Sequence, residues 1–297
     1  MRELILLHGR SQQFKDAADL KEEWVQALRK GLANADVTLD VPDKQIRFPY
    51  YGDTLHRLAK DMPGATPDVI IKGYGEPSAG EQEFLAAVVA EAVKTHGISE
   101  ADIRAAADPS VTIEKGVQNW PWVKAALRAI DKVPGLAGAT LALVTSDVYS
   151  YMRKSGIQMA IEEGVRPAFT SGEECVVVAH SLGTVIAYNM LKRDAKQQNW
   201  KVPTLVTLGS PLAVGAIVSH LRPIDRPYGI DDWFNAFDPQ DVVALHPLDH
   251  DHFPVDPGVE NFSGMRNDTP NRHGITGYLE HPKVARRIRD ALLDSTV

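Results

Sequence analysis

Ser181 is the residue whose surroundings in the sequence most suggest chemistry. It stands in Ala179-His180-Ser181-Leu182-Gly183, after the apolar run Cys175-Val-Val-Val-Ala179 and before the amphipathic stretch from Leu182 to Arg193. That order reads as a buried strand, a sharp turn and a helix. Such a turn holds the serine hydroxyl out at the top of a sheet with a backbone N–H beside it. This is how a weak alcohol becomes a nucleophile for acyl transfer. Small residues at 179 and 183 let the strand and helix backbones pass close together. The short string alone arises by chance in about one chain in five of this length, so its weight comes from the strand before it and the helix after it. The competing reading is a strand-to-helix turn in a phosphate- or ligand-binding α/β domain. Leu182 opens the helix, where an N–H has no intrahelical acceptor, and it supplies one donor of an oxyanion hole.

A serine presented in this way needs a sheet beneath it. Leu4 to Leu7 form an unbroken apolar run, as expected of a strand covered on both faces. A helix follows from about Asp16 to Leu32, with Leu20, Trp24, Ala27, Leu28 and Leu32 along one side. Asp36 to Val41 alternates and ends at Pro42, which predicts a second strand, and Phe48 to Asp53 is aromatic-rich turn chemistry. An alanine-rich region follows, predicting helices over Glu81–His96, Ser99–Ala107 with Ser99 as N-cap, and Trp122–Val133. A longer helical region spans about Thr140 to Phe169. After the Ser181 unit come strands at Thr204–Leu208, near Trp233–Phe237 and, more weakly, near Val259–Met265. A last helix covers Pro282–Leu293. Strands alternating with helices predict an α/β fold with a mostly parallel sheet covered on both faces. Without repeats or Gly/Ser linkers, residues 1–297 read as a single domain carrying a helical insertion at about 76–135.

The chain has 297 residues and a formal net charge of -7, which argues against nucleic acid or an anionic membrane as partner. The basic cluster Arg286, Arg287 and Arg289 is expected to be a solvated helix face. Cys175 is the single cysteine, so no intramolecular disulfide forms, and within an apolar strand it reads as a small buried hydrophobe. No apolar run approaches the roughly 18 residues of a membrane span, and no signal peptide is evident, so a cytoplasmic location is expected.

The elbow around Ser181, together with a following strand that ends in Leu208-Gly-Ser-Pro211, resembles the α/β-hydrolase superfamily, close to its lipase and esterase-like branch. The resemblance covers nearly the whole chain except the helical insertion. It implies an α/β-hydrolase fold and a catalytic order of serine, acid, histidine. The acid is then Asp238 or Asp241, in Asn235-Ala-Phe-Asp-Pro-Gln-Asp-Val-Val243. Asp241 fits the family pattern better, and Asp238 reads as a turn aspartate. The base is His273, in Asn271-Arg-His-Gly-Ile-Thr-Gly-Tyr278, or His281, which more simply starts the last helix. His273 is preferred. The resemblance also makes the Arg10 N–H the second oxyanion donor beside Leu182, in the loop His8-Gly-Arg-Ser11. Losing one such donor costs about 3 kcal/mol of barrier lowering. His8 reads as structural. The family's first antiparallel strands are missing here, which predicts a short sheet of about six strands.

The implied activity is cleavage of a carboxylic ester of a small molecule by a Ser181 acyl-enzyme, with no cofactor. An acyltransferase or thioesterase with the same triad, or a silent hydrolase-like protein binding a ligand or partner, are the alternatives. Asp249-His-Asp-His252 reads as a polar loop and not a metal site, because four consecutive residues rarely converge on one ion. Gly73-Tyr-Gly75 lacks the rest of a nucleotide-binding loop. Trp120, Trp122, Tyr149 and Tyr151 suit either an acyl pocket or the core. Oligomeric state is not legible.

Overall fold

A computed structural model describes residues 1–9, 16–52, 78–110 and 119–294. Six strands, β1 (Glu3–Leu7), β2 (Ile46–Arg47), β3 (Glu174–His180), β4 (Lys201–Leu208), β5 (Asp232–Ala236) and β6 (Glu260–Phe262), form one sheet in the order β2-β1-β3-β4-β5-β6. Every pairing is parallel. Unbroken apolar runs result, because alternate residues of each strand enter different layers. Ile5, Leu7, Val177, Ala179 and Leu205 join the core on one face, and Leu4, Leu6, Val176, Val178 and Val206 join the core on the other. Each such valine, leucine or isoleucine side chain, removed completely from water, contributes about 2 kcal/mol before entropy is counted.

The first face is covered by α2 (Ala79–Thr95), α4 (Trp120–Asp131), α5 (Gly138–Arg153) and α7 (Leu182–Gln198), with α3 (Glu100–Ala105), α6 (Ser155–Val165) and α8 (Gly215–Leu221) around them. The second is covered by α1 (Ala17–Asn34), α9 (Ile275–Leu279) and α10 (Pro282–Leu293). Local signals set several of these helix ends. Asp16 caps α1 by accepting from the Ala18 and Asp19 amides, and Ser99 forms a capping box with Asp102 on α3. Gly31 lets α1 touch α9 backbone to backbone: a β-carbon there would lie 2.1 Å from the Leu279 carbonyl oxygen.

Two sequence expectations need correction, and the helical region from 140 to 169 holds but divides in two. Residues 36–41 form no strand. Val37, Leu39 and Val41 are half-buried against the α1 layer, but the edge of β1 is paired instead by Ile46–Arg47. Their alternation records burial on one side and not pairing. The helical stretch from 140 to 169 is two helices, because Lys154 is extended (φ -108°, ψ 97°) and Ser155-Gly156 have little helical preference. The arginines of α10 are tethered. Arg286 and Arg289 donate to the Ala35 and Thr38 carbonyls, and Arg287 pairs with Asp232 and Glu260 at the starts of β5 and β6.

Candidate active site

The order of strands reverses between β1 and β3, which lie side by side while the chain leaves β1 toward β2 on the other side. A crevice opens at the carboxyl ends of the strands at such a switch point, and ligands of open α/β sheets bind there. Gly9 follows β1 and Ser181 follows β3. A β-carbon on Gly9 would lie 2.7 Å from Ser181 Cβ, so the absence of a side chain at position 9 is what lets the two turns meet.

Ser181 adopts φ 55° and ψ -127°, a backbone conformation that L residues avoid. The surroundings enforce it. The Ser181 amide donates to the Leu208 carbonyl, and the Ser181 carbonyl accepts from the Thr184 amide and hydroxyl. The Thr184 hydroxyl also meets Ser210 Oγ at 2.8 Å. The result is a hydroxyl aimed at the loop that precedes α9. There, His273 Nε2 lies 2.8 Å from Ser181 Oγ, and His273 Nδ1 lies 2.7 Å from Asp241 Oδ2. A carboxylate can only accept, so Nδ1 carries the proton and Nε2 offers its lone pair to the serine hydroxyl. Asp241 is fully buried, and its Oδ1 accepts from the Val243 amide.

The rival residues lie elsewhere. Asp238 accepts from the Gln240 amide in a turn, and its other oxygen holds the Asn267 amide and Arg272, bracing the loop that carries His273. His281 caps α10 by accepting from the Lys283 amide. Leu182 begins α7 directly after Ser181. Arg10, the other expected oxyanion donor, and Gly73–Gly75 lie outside the described residues.

Three neighbours of the site carried no assigned role in the sequence. Tyr278 Oη donates to Asp241 Oδ2 at 2.7 Å. His180 packs its ring 4.7 Å from that of His273 and donates from Nε2 to the His273 carbonyl. Gly209 (φ +52°) places its α-carbon against the acid–base contact, where a β-carbon would lie 3.1 Å from Asp241 Oδ2 and 3.2 Å from His273 Nδ1. Only the position of His180 inside the elbow and the glycine after β4 could have signalled the last two. Tyr278 closes the sequence run that carries His273, but nothing local marked its bond to Asp241, 37 residues away.

Burial sets the charges around this site. It pushes His180 well below the usual histidine range, an effect reinforced by the neighbouring His273, so His180 stays neutral. His8 is pushed down to about 4 by burial, and its ring bridges the Gly9 carbonyl and the Tyr51 amide. A cavity of about 220 Å³ opens onto Ser181 and His273, bordered by Thr140, Leu143, Val144, Asn271, Ile275 and Thr276. Trp122 and Tyr151 are instead buried in the core, with Trp120 and Tyr149 packed against it. Cys175 is buried too, which raises its thiol to about 12.

In the 249–252 loop, Asp249 accepts from the Asp251 and His252 amides and from the His252 ring. Among the described residues no group of three His, Cys, Asp or Glu side chains is placed to hold a metal ion, and no helix is long and apolar enough to cross a membrane. Comparison with protein families, with curated proteins and with solved structures gave no match.

Proposed function

We propose that this chain is a serine hydrolase of the α/β-hydrolase fold that cleaves a carboxylic ester of a small molecule. The observation that carries this reading is the continuous hydrogen-bond chain from Ser181 Oγ through His273 to the buried carboxylate of Asp241. His273 Nε2 takes the Ser181 proton as Oγ attacks the ester carbonyl, and later gives it to the departing alcohol. Asp241 remains ionised, holds the ring in the tautomer that accepts at Nε2, and stabilises the imidazolium. The Leu182 N–H at the start of α7 is one donor for the oxyanion, and the family resemblance supplies the Arg10 N–H as the expected second. Water admitted through the cavity then cleaves the acyl-enzyme by the reverse path.

The test is incubation with a fluorophosphonate probe, beside Ser181→Ala and His273→Ala, with the adduct located by mass spectrometry. Labelling at Ser181 that both substitutions abolish is expected, along with turnover of a short-chain activated ester. A folded wild-type protein that takes no label and cleaves no ester would overturn the proposal.

A further inference from the structure

Asp241 is held by more than its task of orienting an imidazole requires. Its Oδ2, the oxygen that faces His273, accepts two strong bonds of 2.7 Å each, from His273 Nδ1 and from Tyr278 Oη. The direction of the phenol bond is fixed. An ionised carboxylate has no proton to give, and Tyr278 Oη itself accepts from the Asp238 amide at 3.3 Å, which leaves the phenol proton for Asp241. Tyr278 is fully buried, and burial together with the Asp241 charge holds its own ionisation well above the ordinary tyrosine range. It is therefore a donor at any working pH. It does not border the cavity at Ser181, so its hydroxyl reaches the site through its bond to Asp241 and touches nothing bound in the cavity.

We propose that Tyr278 is a positioning residue of the candidate site: its hydroxyl anchors the Asp241 carboxylate and, by sharing Oδ2 with His273, moderates the basicity of the imidazole. An oxygen that gives part of its electron density to a phenol attracts the His273 proton less. The other ionisable groups facing His273 are accounted for. His180 lies against the ring and His8 behind it, both kept neutral by burial. Asp238 is paired with Arg272 on the base loop, Glu23 of α1 borders the same cavity, and His96 at the end of α2 feels the Asp241 charge. Tyr278 is the only one of them that the structure shows bonded to the oxygen that holds His273. The catalytic consequence rests on the hydrolase reading; the effect on the imidazole does not.

The experiment is an NMR titration of the histidine rings in wild type, Tyr278→Phe and a protein carrying 3-fluorotyrosine at 278, with His273 assigned by the signals lost in His273→Asn. Removing the donor is expected to raise the His273 pKa by roughly half a pH unit to one unit. Fluorination strengthens the donor without changing the fold, and is expected to lower it. A role in packing alone gives no such opposite pair of shifts, and the fluorinated protein keeps the test open if the phenylalanine variant fails to fold. In the ester assay, Tyr278→Phe is expected to lower kcat about tenfold with KM unchanged, and to move the acidic limb to higher pH. Both proteins titrating together with wild type would overturn the inference. Shifts in a protein that cleaves no ester would retire the hydrolase reading and leave this one standing.

Discussion

Gly183 lies with its α-carbon against the Leu7 carbonyl oxygen, so close that a β-carbon would stand 2.4 Å from it and 2.7 Å from the His8 oxygen. The Leu7 oxygen ends β1, which the ladder with β3 keeps in place, and the His8 oxygen follows it directly, so neither yields easily to an added methyl group. Gly183→Ala is expected to cost about 3 kcal/mol, read as a fall of about 5 °C in the melting temperature. Loss of fluorophosphonate labelling is expected to begin below the melting transition, because the shift that relieves the clash parts Gly9 from Ser181. A melting curve that superimposes on wild type would show that the contact yields more easily than its geometry implies.

The conformation of Ser181 predicts an exchange of activity for stability. At φ 55° and ψ -127° a glycine is unstrained, whereas alanine keeps the strain. Ser181→Gly and Ser181→Ala both lack the hydroxyl, and both are expected to be inactive. Their difference isolates the backbone. Ser181→Gly is expected to be about 1 kcal/mol more stable than Ser181→Ala in urea unfolding, the strain relief exceeding the added freedom of the unfolded glycine. Equal midpoints would mean that the strain at Ser181 is no larger than the freedom the unfolded glycine gains.

The strand–serine–helix unit was legible because double-sided burial leaves an unbroken apolar run and because Gly183 must be small. The last helix was legible for similar local reasons, since Pro282 opens it and its apolar positions recur on one side. Residues 36–41 misled because the alternation of Val37, Leu39 and Val41 reports one buried side and says nothing of a pairing partner. The acid and base each came down to two nearby residues, Asp238 or Asp241 and His273 or His281. The structure puts Asp241 and His273 in contact, and leaves Asp238 to brace the loop and His281 to cap a helix. Tyr278 stood in the run that carries His273, but its bond to Asp241 was beyond reach, because a hydroxyl that closes a contact between distant segments marks no period in either.

His8 gives the protein a defined weakness to acid. Unfolded, its imidazole takes a proton below about pH 6.5. Folded, it takes none until about pH 4, because burial keeps it neutral. The unfolded state therefore binds more protons between these values, and stability falls as pH drops from about 6.5 to about 4. Above that window His8 makes no such contribution. The loss attributable to this group is about 3 kcal/mol at the acid end. Urea midpoints measured across the window are expected to change less steeply in His8→Asn, which is also less stable than wild type at neutral pH. An unchanged slope would place the acid sensitivity elsewhere, with His180 the next group to examine.

The contact between Gly31 and the Leu279 carbonyl oxygen extends the demands of the site to a helix that supplies no reacting group. Leu279 adjoins Tyr278, and Tyr278 holds Asp241. Any side chain at 31 displaces α9, and with it the anchor of the acid. In a library of random substitutions scored for ester cleavage, position 31 would stand out as intolerant although it lies in a layer beneath the sheet and touches nothing that reacts. Read without the structure, that position would be mistaken for part of a second binding surface.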